Sequence, residues 1–294
     1  MTIAICIFSL IACREPDKSK EKSYTVNQDD SRPTVALIMK SLANEFFVTM
    51  ADGAKEHQQL NKDQYQLLVN GIKNETDLAQ QVALIDQMIA SGVDAIVIAP
   101  ADSKAIIPAL SRAHAADIVI INIDNRLDDN ILQEHDLNIP FVGPDNFLGA
   151  ELVGQYLAST LTAGDKVAIL EGVPTAFNSK QRTAGFKKAM TGAGLNIVAQ
   201  QSAQWDQTMA VTITSAILIQ HPELRAILCA NDNMALGALA AVSQAGKKDQ
   251  IKIVGFDNIS SIKNLIRDKA ILASADQHAD LLAVYGIEYA IEAL

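Results

Sequence analysis

Short apolar runs and amphipathic stretches alternate along this chain from Thr34 onward. The runs at 34–39, 65–69, 95–98 and 118–123 are short and rich in Val, Ile and Leu, which predicts strands covered on both faces. The stretches at 44–60, 75–91 and 103–115 carry helical periodicity. In the second of these, Leu78, Val82, Ile85 and Ile89 share one face. A further strand is predicted at 140–142. The pattern then repeats, with helices at 146–161, 179–193, 208–219, 233–245, 260–267 and from 279, and strands at 166–170, 196–199, 226–229, 251–254 and 271–275. Strands separated by helices imply parallel sheets with helices on both sides. Two such series imply an α/β chain of two doubly wound lobes.

In such sheets, ligands collect beyond the carboxyl ends of the strands. Those positions carry Lys40 to Phe47, Ala99 to Ser103, Asp124-Asn125-Arg126, Glu171-Gly172 leading to Arg182, Gln204-Trp205-Asp206, Ala230-Asn231-Asp232, Gly255-Phe256-Asp257 and Asp276-Gln277. Asp accepts hydrogen bonds, Arg and Lys donate them, and Asn or Gln does both. With flat aromatic rings added, the set suits a neutral polyhydroxylated ligand.

Composition narrows the classes. The 294 residues are enough for two lobes, 49% of them are hydrophobic, and the formal net charge is −10. A chain this acidic lacks the basic footprint of a duplex nucleic-acid binder. Cys6, Cys13 and Cys229 are too few and too scattered for a disulfide framework or a cysteine zinc site. The histidines His57, His114, His135, His221 and His278 show no metal-ligand spacing. No metal or cofactor is expected.

The first thirteen residues, MTIAICIFSLIAC, are almost wholly apolar, and the polar run from Arg14 follows abruptly. The run is too short to span a bilayer and fits the apolar region of a signal peptide. Ala12-Cys13 resembles a bacterial lipobox, which implies a lipidated Cys13, although no Lys or Arg precedes it. An ordinary secretory peptide and a frayed apolar N-terminus are the alternatives. Residues 14–33 read as a flexible tether with a mean reach of roughly 25 Å.

In their order, the stretches Lys40–Gly53 (KSLANEFFVTMADG), Asp124, Arg182-x-x-Gly185-Phe186, Trp205-Asp206, Ala230–Ala238 (ANDNMALGA), Val254–Asp257 (VGFD) and Gln277 resemble the type I periplasmic binding proteins of sugar ABC transporters. The resemblance is to the ribose/allose-binding cluster and runs from about Thr34 to the end. It implies a periplasmic binding protein-like fold with residues 34–144 plus 277–294 as one lobe and 145–276 as the other. Short crossovers near 144–145 and 274–277 would serve as hinges. It implies ligand positions at Lys40, Asn44, Phe47, Asp124, Asn125, Arg182, Trp205, Asn231, Asp257 and Gln277. Lys40, Ala99 and Asn125 depart from the ribose pattern, where a small hydroxyl residue, an Asn and an Arg are found. Lys40 and Trp205 look more like the allose-binding branch. The family pattern also continues beyond the point matching Leu294. The implied protein is a monomer that captures a monosaccharide or polyol in the periplasm or cell envelope and hands it to a permease and its ATPase.

Structural readings stand beside the functional ones. Asp257 is also placed to cap the next helix, and of Asn231 and Asp232 one is expected to cap and the other to bind. Arg182 could pair with a surface carboxylate, Lys40 could be solvated at its strand end, and Trp205 could simply pack. Asp124 and Asp257 offer a glycosidase-like acid pair, yet no nucleophile, nucleotide fingerprint or evident raised-pKa acid accompanies them. A sugar-responsive transcription regulator would need a helix-turn-helix before residue 34. A receptor presenting sugar to a membrane sensor shares every feature with the transport reading.

Overall fold

The computed structural model describes residues 31–294. The leader and Cys13, and most of the tether, lie outside the described residues. Ten strands and ten helices follow in strict alternation: β1 (Thr34–Ser41), α1 (Glu45–Leu60), β2 (Gln66–Ile72), α2 (Leu78–Ser91), β3 (Ala95–Ile98), α3 (Ile107–His114), β4 (Val119–Ile123), α4 (Asp129–Glu134), β5 (Phe141–Val142), α5 (Asn146–Ala158), β6 (Lys166–Glu171), α6 (Phe177–Gly192), β7 (Asn196–Ser202), α7 (Gln207–Gln220), β8 (Leu224–Cys229), α8 (Asp232–Gln244), β9 (Lys252–Asp257), α9 (Ser260–Arg267), β10 (Ala273–Asp276) and α10 (Ala279–Ala293).

The strands form two five-stranded sheets, ordered β2-β1-β3-β4-β5 and β10-β9-β8-β6-β7. All described pairings are parallel. Read from the other edge, the second order repeats the first, so each sheet reverses its winding next to its first strand. At that reversal the helices leave for opposite faces and open a crevice beyond the strand ends.

Alternate residues of β1 show how the layers form. Val35, Leu37 and Met39 pack with Phe46, Met50 and Ala54 of α1 and with Ile287 of α10. Ala36 and Ile38 face the other way, toward Ile85 and Met88 of α2 and Leu110 of α3. All eight residues of β1 are buried, as expected of a central strand covered twice. The chain leaves the first sheet after β5 and returns after β10. Accordingly α5 packs on α6, β9 and β10, whereas α10 packs on α1 and the first sheet.

Side-chain caps set where most site-facing helices begin. Asn44, Asp77, Asp128, Asp145, Asp206 and Asn231 each accept a hydrogen bond from a first-turn amide. The sequence pattern places the third helix from residue 103, but α3 starts at Ile107. Asp102 accepts from the amides of Lys104 and Ala105 and folds that segment as a turn first. The second predicted helix likewise shortens at its start, because its cap is Asp77. Helix α4 was not expected, since six residues hold too little periodicity to reveal it.

Candidate functional site

The ends of both sheets face each other across a cavity lined by Lys40, Asn44, Phe46, Phe47, Glu75, Asp124, Asn178, Arg182, Trp205, Asn231, Asp257 and Gln277. The space between these side chains is about 240 Å³, its open mouth included.

From the first sheet, Lys40 is the penultimate residue of β1 and its Nζ lies 2.8 Å from Asp124 Oδ2. The same ammonium sits 5.6 Å from the Phe47 ring centre and 5.9 Å from that of Trp205. Phe46 and Phe47 meet edge to face at 5.1 Å. Asn44 caps α1 through Oδ1 while its Nδ2 donates to Glu75 Oε1 at 3.0 Å. Burial raises the Glu75 carboxyl to about 6, against the lowering by Lys40 and Asn44.

From the second sheet, Asn178 and Arg182 are one turn apart on α6 and share a face. The Arg182 guanidinium lies 3.9 Å from the Phe256 ring centre. Its Nε donates to Asn146 Oδ1 and its Nη1 to Ala230 O, both at 2.8 Å, with Asp257 Oδ1 at 3.5 Å. Gln277 Nε2 donates to the same Asp257 oxygen at 2.6 Å. Burial pushes Asp257 up to about 7, although Arg182 and Gln277 pull it down. Burial likewise depresses Arg182, opposed by Asp257, Asp124 and Asp232. Trp205 lies against Gly172, where a Cβ would come 2.1 Å from the indole. Three lining residues hold positive φ angles at or just past strand ends: Asp124 at 61°, Trp205 at 67° and Asp257 at 120°. Non-glycine residues hold such angles where the surroundings over-determine them.

Four buried polar atoms of these residues have no hydrogen-bond partner: Asp124 Oδ2, Arg182 Nη2, Trp205 Nε1 and Gln277 Oε1. Lys40 reaches Asp124 Oδ2 as an ion pair without the alignment of a hydrogen bond. Two of the four accept and two donate. Buried polar groups are normally satisfied, and these four leave hydrogen-bonding capacity unused around the cavity.

Nine of the ten positions drawn from the sequence line the cavity. Asn125 stands apart: its Nδ2 donates to Pro100 O at 3.0 Å and its Oδ1 accepts from Ser103 Oγ and from the Asn178 amide. Asp257 does not cap the following helix, whose cap residue is Ile259. Asn231 both caps α8 and lines the cavity, while Asp232 does neither. The Asp232 carboxylate accepts from the Ile259 amide and from Ser274 Oγ. Buried acids with raised pKa values do exist here, contrary to the sequence reading, in Glu75 and Asp257. None of the five histidines lines the cavity. Sequence reasoning missed Phe46, Glu75 and Asn178. Glu75 follows β2 just as the other positions follow their strands, and Asn178 precedes Arg182 by one turn, so the same rules could have found both.

Residues 35–294 match the family described as the periplasmic binding protein domain. The chain belongs to that family. It is a family of binding proteins, not of enzymes. A D-ribose/D-allose-binding protein of Pseudomonas aeruginosa is 54% identical over 263 residues, 90% of this chain and 82% of the relative. A ribose import binding protein of Salmonella typhimurium is 31% identical over 90% of this chain and 86% of its own length. An ABC transporter solute-binding protein from Burkholderia multivorans superposes with a TM-score of 0.88 at 53% identity, covering 89% of this chain and 93% of that one. A periplasmic solute-binding protein from Actinobacillus succinogenes, solved with bound D-allose, gives 0.83 at 37% identity over 89% and 91%. Among the described residues, no helix is long and apolar enough to cross a membrane.

Proposed function

We propose that this chain is the solute-binding component of an ABC importer and holds one neutral monosaccharide or sugar alcohol between its lobes. The observation that carries this reading is the quartet of buried atoms without a hydrogen-bond partner, two donors and two acceptors, around one cavity between the sheet ends. A hydroxyl donates and accepts at once, so a polyol satisfies such a mixed set. An anion would leave the acceptors unpaired. The aromatic walls of Phe47 and Trp205 suit the C–H face of a pyranose or furanose. D-ribose and D-allose are the first candidates, a choice supported by what the relatives are named for binding.

In this reading Lys40, Asn44, Phe47 and Asp124 contact the ligand from one lobe (34–144 plus 277–294), joined by Gln277 on its returning segment. Arg182, Trp205, Asn231 and Asp257 do so from the other (145–276). The segments near 144–145 and 274–277 are the hinges. Contacts from both sides favour the closed state, which the permease and its ATPase read. Isothermal calorimetry against pentoses, hexoses and polyols tests the site. Binding of D-allose or D-ribose is expected, and no heat with any of them at millimolar concentration sinks the reading.

The protein works as a monomer in the periplasm or cell envelope, anchored by a lipid on Cys13. The apolar leader ending at Cys13 motivates the anchor. Cys13→Ser is expected to move the protein from the membrane to the soluble fraction. Unchanged sedimentation with membranes would show the anchor to be wrong.

A further inference from the structure

We propose that Ser103 and Asn125 form a latch that caps helix α6 from the opposite lobe, so that the first turn of that helix is complete only when the cleft is shut. This rests on the two-lobed, closing reading above. It concerns residues that do not line the cavity.

A helix begins with amides that have no partner within the helix. Six other helices of this chain meet that need with a side chain of their own cap residue. Helix α6 does not: its cap position is Ala176, which has no acceptor. The Phe177 amide donates instead to Ser103 Oγ at 2.9 Å, and the Asn178 amide to Asn125 Oδ1 at 3.3 Å. Ser103 and Asn125 belong to the loops after β3 and β4, in the other sheet. They are joined to each other, Ser103 Oγ to Asn125 Oδ1 at 3.3 Å.

The acceptors are fixed in advance. Asn125 Nδ2 donates to Pro100 O, and the backbone carbonyl of Asn125 accepts from Asn122 Nδ2 at 2.9 Å. Both residues are buried in the seam. Around them the same two loops add weaker ties across the cleft. The Thr175 side chain hydrogen-bonds Asp102, Lys180 attracts the same carboxylate, and the Arg126 guanidinium lies 6.0 Å from the Phe177 ring centre. A rigid acceptor pair facing the positive end of a sixteen-residue helix is favourable in its own right.

The latch shares its helix with the site. Asn178 lines the cavity, and Arg182 follows it one turn later. Seating the α6 N-terminus on Ser103 and Asn125 therefore fixes the height at which Arg182 reaches the ligand. When the lobes part, water takes over both amides, and the difference between those two states tunes closure without touching the sugar.

The test uses the Ser103→Ala/Asn125→Ala double variant in the full protein, with D-allose and D-ribose as probes. Dissociation measured by stopped flow is expected to quicken about tenfold with association little changed, because two ordinary hydrogen bonds are lost from the closed state alone. Ser103→Thr on the parent background keeps the hydroxyl and is expected to dissociate like the parent. Amide exchange reads the latch independently of which sugar binds. The Phe177 and Asn178 amides should be protected in the parent and exchange about tenfold faster in the double variant, with Ala189 and Met190 later in α6 unaffected. Equal exchange at the two amides in parent and variant overturns the latch, as does an unchanged dissociation rate for a sugar that binds. If neither probe binds the parent, the sugar reading falls, and the exchange result still decides the latch.

Discussion

Asp257 ends β9 with its carboxyl buried beside Arg182 and Gln277 and holds its proton up to about 7. In the unfolded chain such a group titrates near 3.8. Between these values the folded form binds more protons than the unfolded one, so its contribution to stability is complete below about 3.8 and is lost as pH rises toward 7. Glu75 adds the same sign up to about 6. The thermal midpoint of the sugar-free protein is thus expected to fall between pH 5 and 7.5, and Asp257→Asn should flatten that fall. Parallel curves for parent and variant would show that the carboxyl is not buried as described. Arg182 makes a second prediction. It stacks on Phe256 and forks to Asn146 and Ala230, a planar arrangement that an ammonium cannot reproduce. Arg182→Lys is expected to weaken sugar binding roughly tenfold to a hundredfold in calorimetry, and binding equal to the parent would remove Arg182 from the site. Asp257 was legible as a strand-end residue and Arg182 through the Arg182-x-x-Gly185-Phe186 stretch that carries the family resemblance. The place of Glu75 after β2 was legible by the strand-end rule, but its burial was not, because a carboxylate in a polar loop looks like any solvated acid until the fold buries it. The role of Asn125 was also hidden: its partner, Asn178, is distant in sequence, and only the closed pair of lobes brings them together.

At the level of elements, the alternation of apolar runs and helical faces revealed almost the whole order of strands and helices. What it blurred were the starts, since a capping side chain and not periodicity decides them, as Asp77 and Asp102 show. Contacts between helices were not legible either. Gly53 of α1 is an example: a Cβ there would come 2.3 Å from the Asp280 carbonyl oxygen of α10, so these helices cross at backbone contact. Gly53→Ala must push α10 away, and overpacking of this kind costs about 1–3 kcal/mol. Its thermal midpoint is expected to drop by several degrees. An unchanged midpoint would mean that α10 gives way freely.

For the molecule as a whole, both lobes use one strand order, and each sends its strand ends to a single seam. In the closed arrangement the Glu45 carboxylate of α1 accepts from the amide and hydroxyl of Ser261 in α9, on a second site across that seam. Small-angle scattering should therefore report a smaller radius of gyration when sugar is added, and a radius indifferent to a sugar that binds would contradict hinge closure. The position of α10 also has a consequence for the order of folding. Its Gly286 rests on Val97, Ile121 and Ile123 of the first sheet, yet it follows every strand of the second in the chain. The second lobe's strands are continuous in sequence and can assemble without waiting for a distant segment. The first lobe keeps a bare apolar face until residues 279–293 dock on it, and through that interval it is the half more open to aggregation.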